Sequence, residues 1–244
     1  MTHTQVRQGL RGEHGFFTAM SVAMAAVVFI GFSPTFYARS AQLPSLPGLT
    51  ILHGVVFTTW VLAYVLQSVL VLTGRRRLHM TLGLLFMSLG VLMVWLGLAA
   101  AAGAARRGAG APAGDDPRAF MVVPVFDILL FAVCLAAGYA WRHAPVVHKR
   151  LMLLASIDLM GPAIARIAQH AERPLFAEHF PMWAYAGMML AIAVACVGDV
   201  VMRRRPHQAY LWGALILTIS GPARFALGNT ATWLSIVDVL VRWL

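Results

Sequence analysis

Long apolar runs alternate with short polar turns along the chain, and the length of the runs predicts membrane-spanning helices. A helix crosses the hydrocarbon of a bilayer with about 20 residues at roughly 1.5 Å rise per residue. Residues 229–244 are too few to cross and predict a short helix in the membrane interface. We therefore expect an all-α polytopic membrane bundle, a single domain over residues 1–244 with seven spans at about 16–37, 51–72, 79–101, 119–141, 148–169, 182–202 and 208–228.

Composition supports this fold class. The chain is 60% hydrophobic and only 11% charged, whereas about a quarter of the residues of a soluble domain are charged. Its net charge of +10 does not indicate nucleic-acid binding, because the basic residues stand in short clusters between apolar runs. Such clusters act as topology signals and contact anionic lipid headgroups. The bilayer is thus the predicted partner.

The basic clusters also predict an orientation. With seven spans, all of them fall on one side of the membrane, which the positive-inside rule assigns to the cytoplasm. The N-terminus is then cytoplasmic and the C-terminus lies outside. The clusters are Arg7 with Arg11, Arg75–Arg77, Arg142 with Lys149 and Arg150, and Arg203–Arg205.

Four charged residues lie deep inside the predicted spans, away from the basic turns, where a charge is unfavourable by at least about 2.5–3.5 kcal/mol and needs a partner. Asp158 falls near the midplane, and three others fall in the outer part. We predict that Asp127 pairs with Arg166 or with Arg224. A buried ion-pair network that fixes helix register is one interpretation, and a site for a small anionic or redox-active ligand is the other. Three further residues near the outer end could complete a polar pocket: Tyr37, His53 and His170.

Two Gly-Pro pairs stand within spans, at Gly161-Pro162 and Gly221-Pro222. Proline lacks an amide hydrogen and displaces the carbonyl four residues earlier, so both helices are predicted to bend. Bent helices beside intramembrane charges are how many transporters build their sites. The alternative is that the prolines only set helix packing.

Histidines at matching depths suggest a cofactor. His53 and His170 lie near the outer ends of their spans, and His79 and His148 begin helices on the cytoplasmic side. Two histidines on facing helices are what haem b needs, with arginines for its propionates. Histidines at helix ends are also often merely interfacial. No metal-binding spacing, phosphate loop or catalytic triad pattern is visible, so a hydrolase or nucleotide enzyme is not indicated.

Several segments resemble a known group. FSPTFY, HGVVFTTWVLAYVLQ, LHMTLG and HKRLMLLASIDLMGPAIAR resemble a widespread group of uncharacterised bacterial multi-pass membrane proteins, which implies the bacterial inner membrane and no particular activity. The helix starts at His79 and His148 more faintly resemble transmembrane b-type cytochromes, which implies haem b.

Three functional hypotheses follow. The first is a redox or electron-transfer membrane protein that binds haem b. The second is a transporter or binding protein for a small organic anion, with an arginine-lined cavity in the outer half of the bundle. The third is an accessory subunit of a larger membrane complex, in which the charges are structural. A homo-oligomer is compatible with each of them.

Overall fold

The computed structural model describes residues 3–112, 114–171 and 174–244, and side chains in these ranges apart from residues 3–11 and 174. Its helices are α1 (His3–Phe32), continued by a π-helical turn (Ser33–Tyr37), α2 (Gly48–Leu72), α3 (Arg76–Arg106), α4 (Pro117–Phe120), α5 (Val122–Ala140), α6 (Pro145–Asp158), α7 (Gly161–Gln169), α8 (Pro174–Glu178), α9 (Phe180–Arg203), α10 (Gln208–Gly228) and α11 (Ala231–Trp243).

The prediction of seven spans is confirmed. Within the described residues, seven helical segments are long and apolar enough to cross a membrane. The second, third, sixth and seventh are α2, α3, α9 and α10, whereas the first combines most of α1 with the π-helical turn, the fourth α4 with α5, and the fifth α6 with α7. The protein is therefore a multi-pass integral membrane protein. Which end faces the cytoplasm stays a prediction, and we call the end with the arginine-rich turns the basic end.

The third helix is longer than predicted. It ends at Arg106 instead of about residue 101, because the alanine-rich sequence continues the helix and its side chains pack against α11. Ala102 and Ala105 pack in one apolar cluster with Trp233 and Val237 of α11. The segment that follows the third span therefore begins only after Arg106.

The fifth span is the centre of the bundle. Its most apolar 18-residue stretch is 61% buried, whereas the corresponding stretches of the other spans are 17–44% buried. The predicted break is present, since α6 ends at Asp158 and α7 begins at Gly161. Pro162 cannot donate to the carbonyl of Asp158, which stands four residues earlier. The second Gly-Pro pair behaves differently, because α10 continues through Pro222.

Glycines allow close helix contacts at two levels. A Cβ atom on Gly90 or Gly97 of α3 would come within 2.6 Å of Leu135 or 2.7 Å of Ile128, both on α5. These two glycines therefore give α3 a smooth packing face against α5. Gly83 does not belong to this face, since a Cβ atom there would meet open space.

Candidate functional site

A cluster of charges at the basic end holds three helices together. Arg150 of α6 and Asp199 of α9 are both fully buried, and the guanidinium binds the carboxylate through two bonds, with Nε donating to Oδ2 at 2.8 Å and Nη2 donating to Oδ1. Glu13 of α1 accepts on a single oxygen, Oε1, from Lys149 at 2.7 Å, from Arg150 at 3.2 Å and from Arg203 at 3.3 Å. We call these five residues the inner ion cluster.

The inner ion cluster also organises the turn into α10. Oδ2 of Asp199 accepts a hydrogen bond from the backbone amide of His207 at 3.0 Å. The His207 side chain caps α10, because its Nδ1 accepts from the amide of Ala209 at 3.2 Å. Burial, and after it the positive charge of Arg150, lower the pKa of His207 below its ordinary value of 6.5. The capping imidazole is therefore held in its neutral form, which is the form that can accept.

Two histidines that the sequence paired by depth lie close together at the basic end. The ring centroids of His79 on α3 and His148 on α6 are 6.4 Å apart, with the ring planes 75° apart. Nδ1 of His148 lies 2.7 Å from the carbonyl oxygen of Gly138 on α5. Nδ1 of His79 is buried and forms no hydrogen bond to any described residue, and the backbone of Gln67 lies beside this ring. We call His79 and His148 the histidine pair.

A groove runs along the bundle between α3 and α5. It has a volume of about 300 Å³ and is mostly apolar. Its wall includes Leu84 and Ser88 of α3, beyond His79, and Tyr139 of α5, the neighbour of Gly138. Arg142 lies against this wall, with its guanidinium carbon 4.4 Å from the centre of the Tyr139 ring. The groove thus adjoins the turns that carry the histidine pair.

A second buried polar group stands deeper in the membrane. Nη1 of Arg224 on α10 donates to Oδ1 of Asp127 on α5. Of the two arginines that the sequence offered as partners for Asp127, the structure therefore selects Arg224. Asp158, at the end of α6, is only 2% exposed, and neither of its carboxylate oxygens bonds to a group within the described part of the chain. With Tyr185 of α9, whose ring centre lies 5.9 Å from the guanidinium carbon of Arg224, these residues form what we call the central carboxylate cluster.

The remaining predicted site residues make local contacts, although Nδ1 of His53 is buried and forms no hydrogen bond within the described part of the chain. The guanidinium of Arg166 lies over the Phe32 ring at 4.4 Å, and its Nη1 donates to the carbonyl of Pro162 at 3.0 Å. The Tyr37 hydroxyl forms a hydrogen bond of 2.7 Å with the hydroxyl of Thr58. The ring centroid of His53 lies 4.0 Å from that of Phe57. Nδ1 of the exposed His170 donates to the carbonyl of Arg166 at 2.8 Å.

Sequence reasoning missed the inner ion cluster. It treated Lys149, Arg150 and Arg203 as topology signals only, and it did not consider Glu13 or Asp199. The signal was present, because Asp199 stands one helical turn before Arg203 and therefore at the depth of the basic turns. An acidic residue at that depth among so many cations predicts an ion pair.

Comparison of the chain with protein-family models, with curated proteins and with solved structures finds no match. The class of protein is defined by the fold itself, a multi-pass helical bundle of the membrane with buried charges at two depths. The resemblances to a bacterial group and to b-type cytochromes stay expectations.

Proposed function

We propose that this protein is a membrane redox protein that binds haem b between His79 and His148. The observation that carries the proposal is the 6.4 Å separation of the two ring centroids. A metal bonded to one nitrogen of each ring at about 2.0–2.1 Å would hold two imidazole centroids roughly 6 Å apart. At this separation, His79 and His148 would be the residues that hold the iron of a bound haem.

The second nitrogen of His148 supports the same assignment. The Gly138 carbonyl accepts a hydrogen bond from Nδ1–H of His148, which fixes the tautomer and leaves Nε2 as the free ligand atom. On the His79 side, Nδ1 is buried and without a partner among the described residues, and so are both amide atoms of Gln67. Buried polar atoms normally have partners. A bound polar group at this place would explain why these do not.

The surroundings suit a large apolar ring with acidic substituents. The groove between α3 and α5 offers an apolar wall, which begins at Leu84, further along α3 than His79, and at Tyr139, next to Gly138. Arginines at the basic end, Arg75–Arg77 and Arg142, are available to bind propionates. When bound, haem supplies one-electron transfer. The protein's own part is to orient the two imidazoles, to exclude water through α3, α5 and α6, and to neutralise the propionates.

The test is the visible spectrum of the protein purified from haem-replete cells. We expect a Soret band that shifts on reduction and is lost in His79→Ala and in His148→Ala. His170→Ala is the matched control, since this exposed histidine lies away from the basic end and should leave the band intact. A folded, colourless protein without haem by pyridine extraction would end the proposal, and so would a band that survives both ligand substitutions.

A small organic anion is the second candidate, because Arg166 has no carboxylate within salt-bridge distance among the described residues. It has less support than haem, since Arg224 already binds Asp127. If small carboxylates bind here, they should raise the melting temperature of wild-type protein and not that of Arg166→Ala. A ligand at about 100 times its dissociation constant adds roughly 2.7 kcal/mol of stability.

A further inference from the structure

We propose that Asp158 is a membrane-embedded proton-binding site, in which Asp158 and Asp127 share one guanidinium and one proton between them. The structural observation is that one buried cation, Arg224, lies within interaction range of two buried carboxyl groups and binds only Asp127. This inference does not depend on haem, because the central carboxylate cluster and the histidine pair are separate groups of residues.

Charge balance is the first step of the argument. If both carboxyl groups were ionised, the cluster would carry one uncompensated negative charge inside the bundle. Asp127 is the ionised member, since it accepts from Arg224. Isolated buried carboxylates are so unfavourable that the group neutralises by taking up a proton instead. Asp158 is the member that must do so.

The position of Asp158 in its helix is the second step. It is the last residue of α6, where the helix dipole places partial negative charge and disfavours another anion. Pro162 has no amide hydrogen to donate to the backbone carbonyl of Asp158. The break between α6 and α7 therefore places another hydrogen-bond acceptor, and no donor, near the carboxyl group. The amide of Phe131 lies beside the carboxyl group without making a bond of normal geometry. No hydrogen bond of normal geometry within the described residues therefore stabilises the ionised form, and the neighbouring cation, Arg224, already binds Asp127.

The groups that face Asp158 from the neighbouring helices define how the proton can leave. They are Asp127 and Cys134 of α5, Tyr185 of α9 and Arg224 of α10. Within the described residues, Nε of Arg224 has no acceptor. When Asp158 releases its proton to water, its carboxylate becomes a partner for this free donor. Proton binding at Asp158 is thereby coupled to how Arg224 divides its bonds between α5 and α6.

The primary experiment is infrared spectroscopy of the purified protein in liposomes at neutral pH. A protonated carboxylic acid gives a C=O stretching band above the amide bands, and we expect this band in wild-type protein and its loss in Asp158→Asn. Asp238→Asn is the matched control, because Asp238 forms an exposed pair with Arg118 and should not affect the band. Asp127→Asn should also abolish the band, since Arg224 is then free to bind an ionised Asp158.

A second measurement needs no variant. A hydrophobic carbodiimide reacts with protonated carboxyl groups in membranes, and we expect mass spectrometry to find the label on Asp158 of wild-type protein. No infrared band in wild-type protein, a band that persists in Asp158→Asn, or no label on Asp158 would each overturn the proposal. Protection of Asp158 by sodium ions at constant pH would overturn it too, in favour of a bound metal cation.

Discussion

The inner ion cluster gives the sharpest stability prediction, because Arg150 and Asp199 are both fully buried. In Asp199→Leu the charge of Arg150 remains inside the bundle with only Glu13, at 3.2 Å, as an anionic partner. Removing one member of a buried ion pair costs about 3–5 kcal/mol. We therefore expect the ratio of folded to unfolded protein to fall by more than about a hundredfold.

The double variant Arg150→Met/Asp199→Leu should behave very differently. Replacing a buried pair with apolar side chains of similar volume is often neutral or stabilising. The remaining cost is the amide of His207, which loses its acceptor at 3.0 Å, and an unsatisfied buried donor costs about 1–3 kcal/mol. The double variant should therefore be more stable than Asp199→Leu alone.

The assay is the unfolding equilibrium in mixed micelles of sodium dodecyl sulfate and a non-ionic detergent. Asp238→Leu is the control. Asp238 pairs with Arg118, and their side chains are 55% and 43% exposed, respectively; exposed pairs contribute about 0–1 kcal/mol to stability. A loss below about 1 kcal/mol in Asp199→Leu would refute the reasoning. Single-variant losses that simply add in the double variant would refute it as well.

Three further predictions test the packing, the cap of α10 and the orientation. Gly31→Ala should destabilise the bundle in the same assay, since a Cβ atom there would lie 2.3 Å from a backbone oxygen of α7, whereas Gly15→Ala, which meets open space, should be neutral or stabilising by up to about 1 kcal/mol. Because the pKa of His207 is lowered in the folded protein, its contribution to stability is full above the unfolded pKa of about 6.5 and is lost as the pH falls through the folded pKa. His207→Asn keeps a capping side chain and should flatten the pH dependence of the melting temperature between pH 7 and 5. An unchanged slope would exclude this titration. Alkaline phosphatase fused after Leu244 should be active, and inactivity there would reverse the predicted orientation.

The helices were predictable because a single rule decides them. Twenty apolar residues in a row have one stable arrangement in a bilayer, so the number and type of spans follow from composition. The end of α3 did not follow, because Ala102 and Ala105 extend the helix only where α11 covers them. Sequence shows helix propensity at that point but not the distant surface that stabilises it.

For the candidate site, the sequence predicted how deep each charged residue or histidine lies in the membrane, but not which helix each side chain faces. Counting residues along the spans placed Arg166 and Arg224 in the same outer third, so depth could not choose between them as partners of Asp127. The choice depends on which helices are neighbours, and α10 lies against α5. For the same reason, the matching depths of His79 and His148 predicted only that they could meet. Their ring separation is a property of the packed bundle.

Glu13 of α1 binds three basic side chains through one of its carboxylate oxygens, and these partners join the bundle at a late stage of synthesis. Its partners lie far along the sequence, since Arg150 is 137 residues and Arg203 is 190 residues away. At about 5–20 residues per second, α9 emerges from the ribosome roughly 10–40 s after α1. During that interval α1 sits in the membrane with an acidic side chain that lacks its final counter-ions. Until the sixth span is inserted and Arg203 binds Glu13, the charge of Glu13 therefore has to be stabilised by the insertion machinery or by water at the basic end.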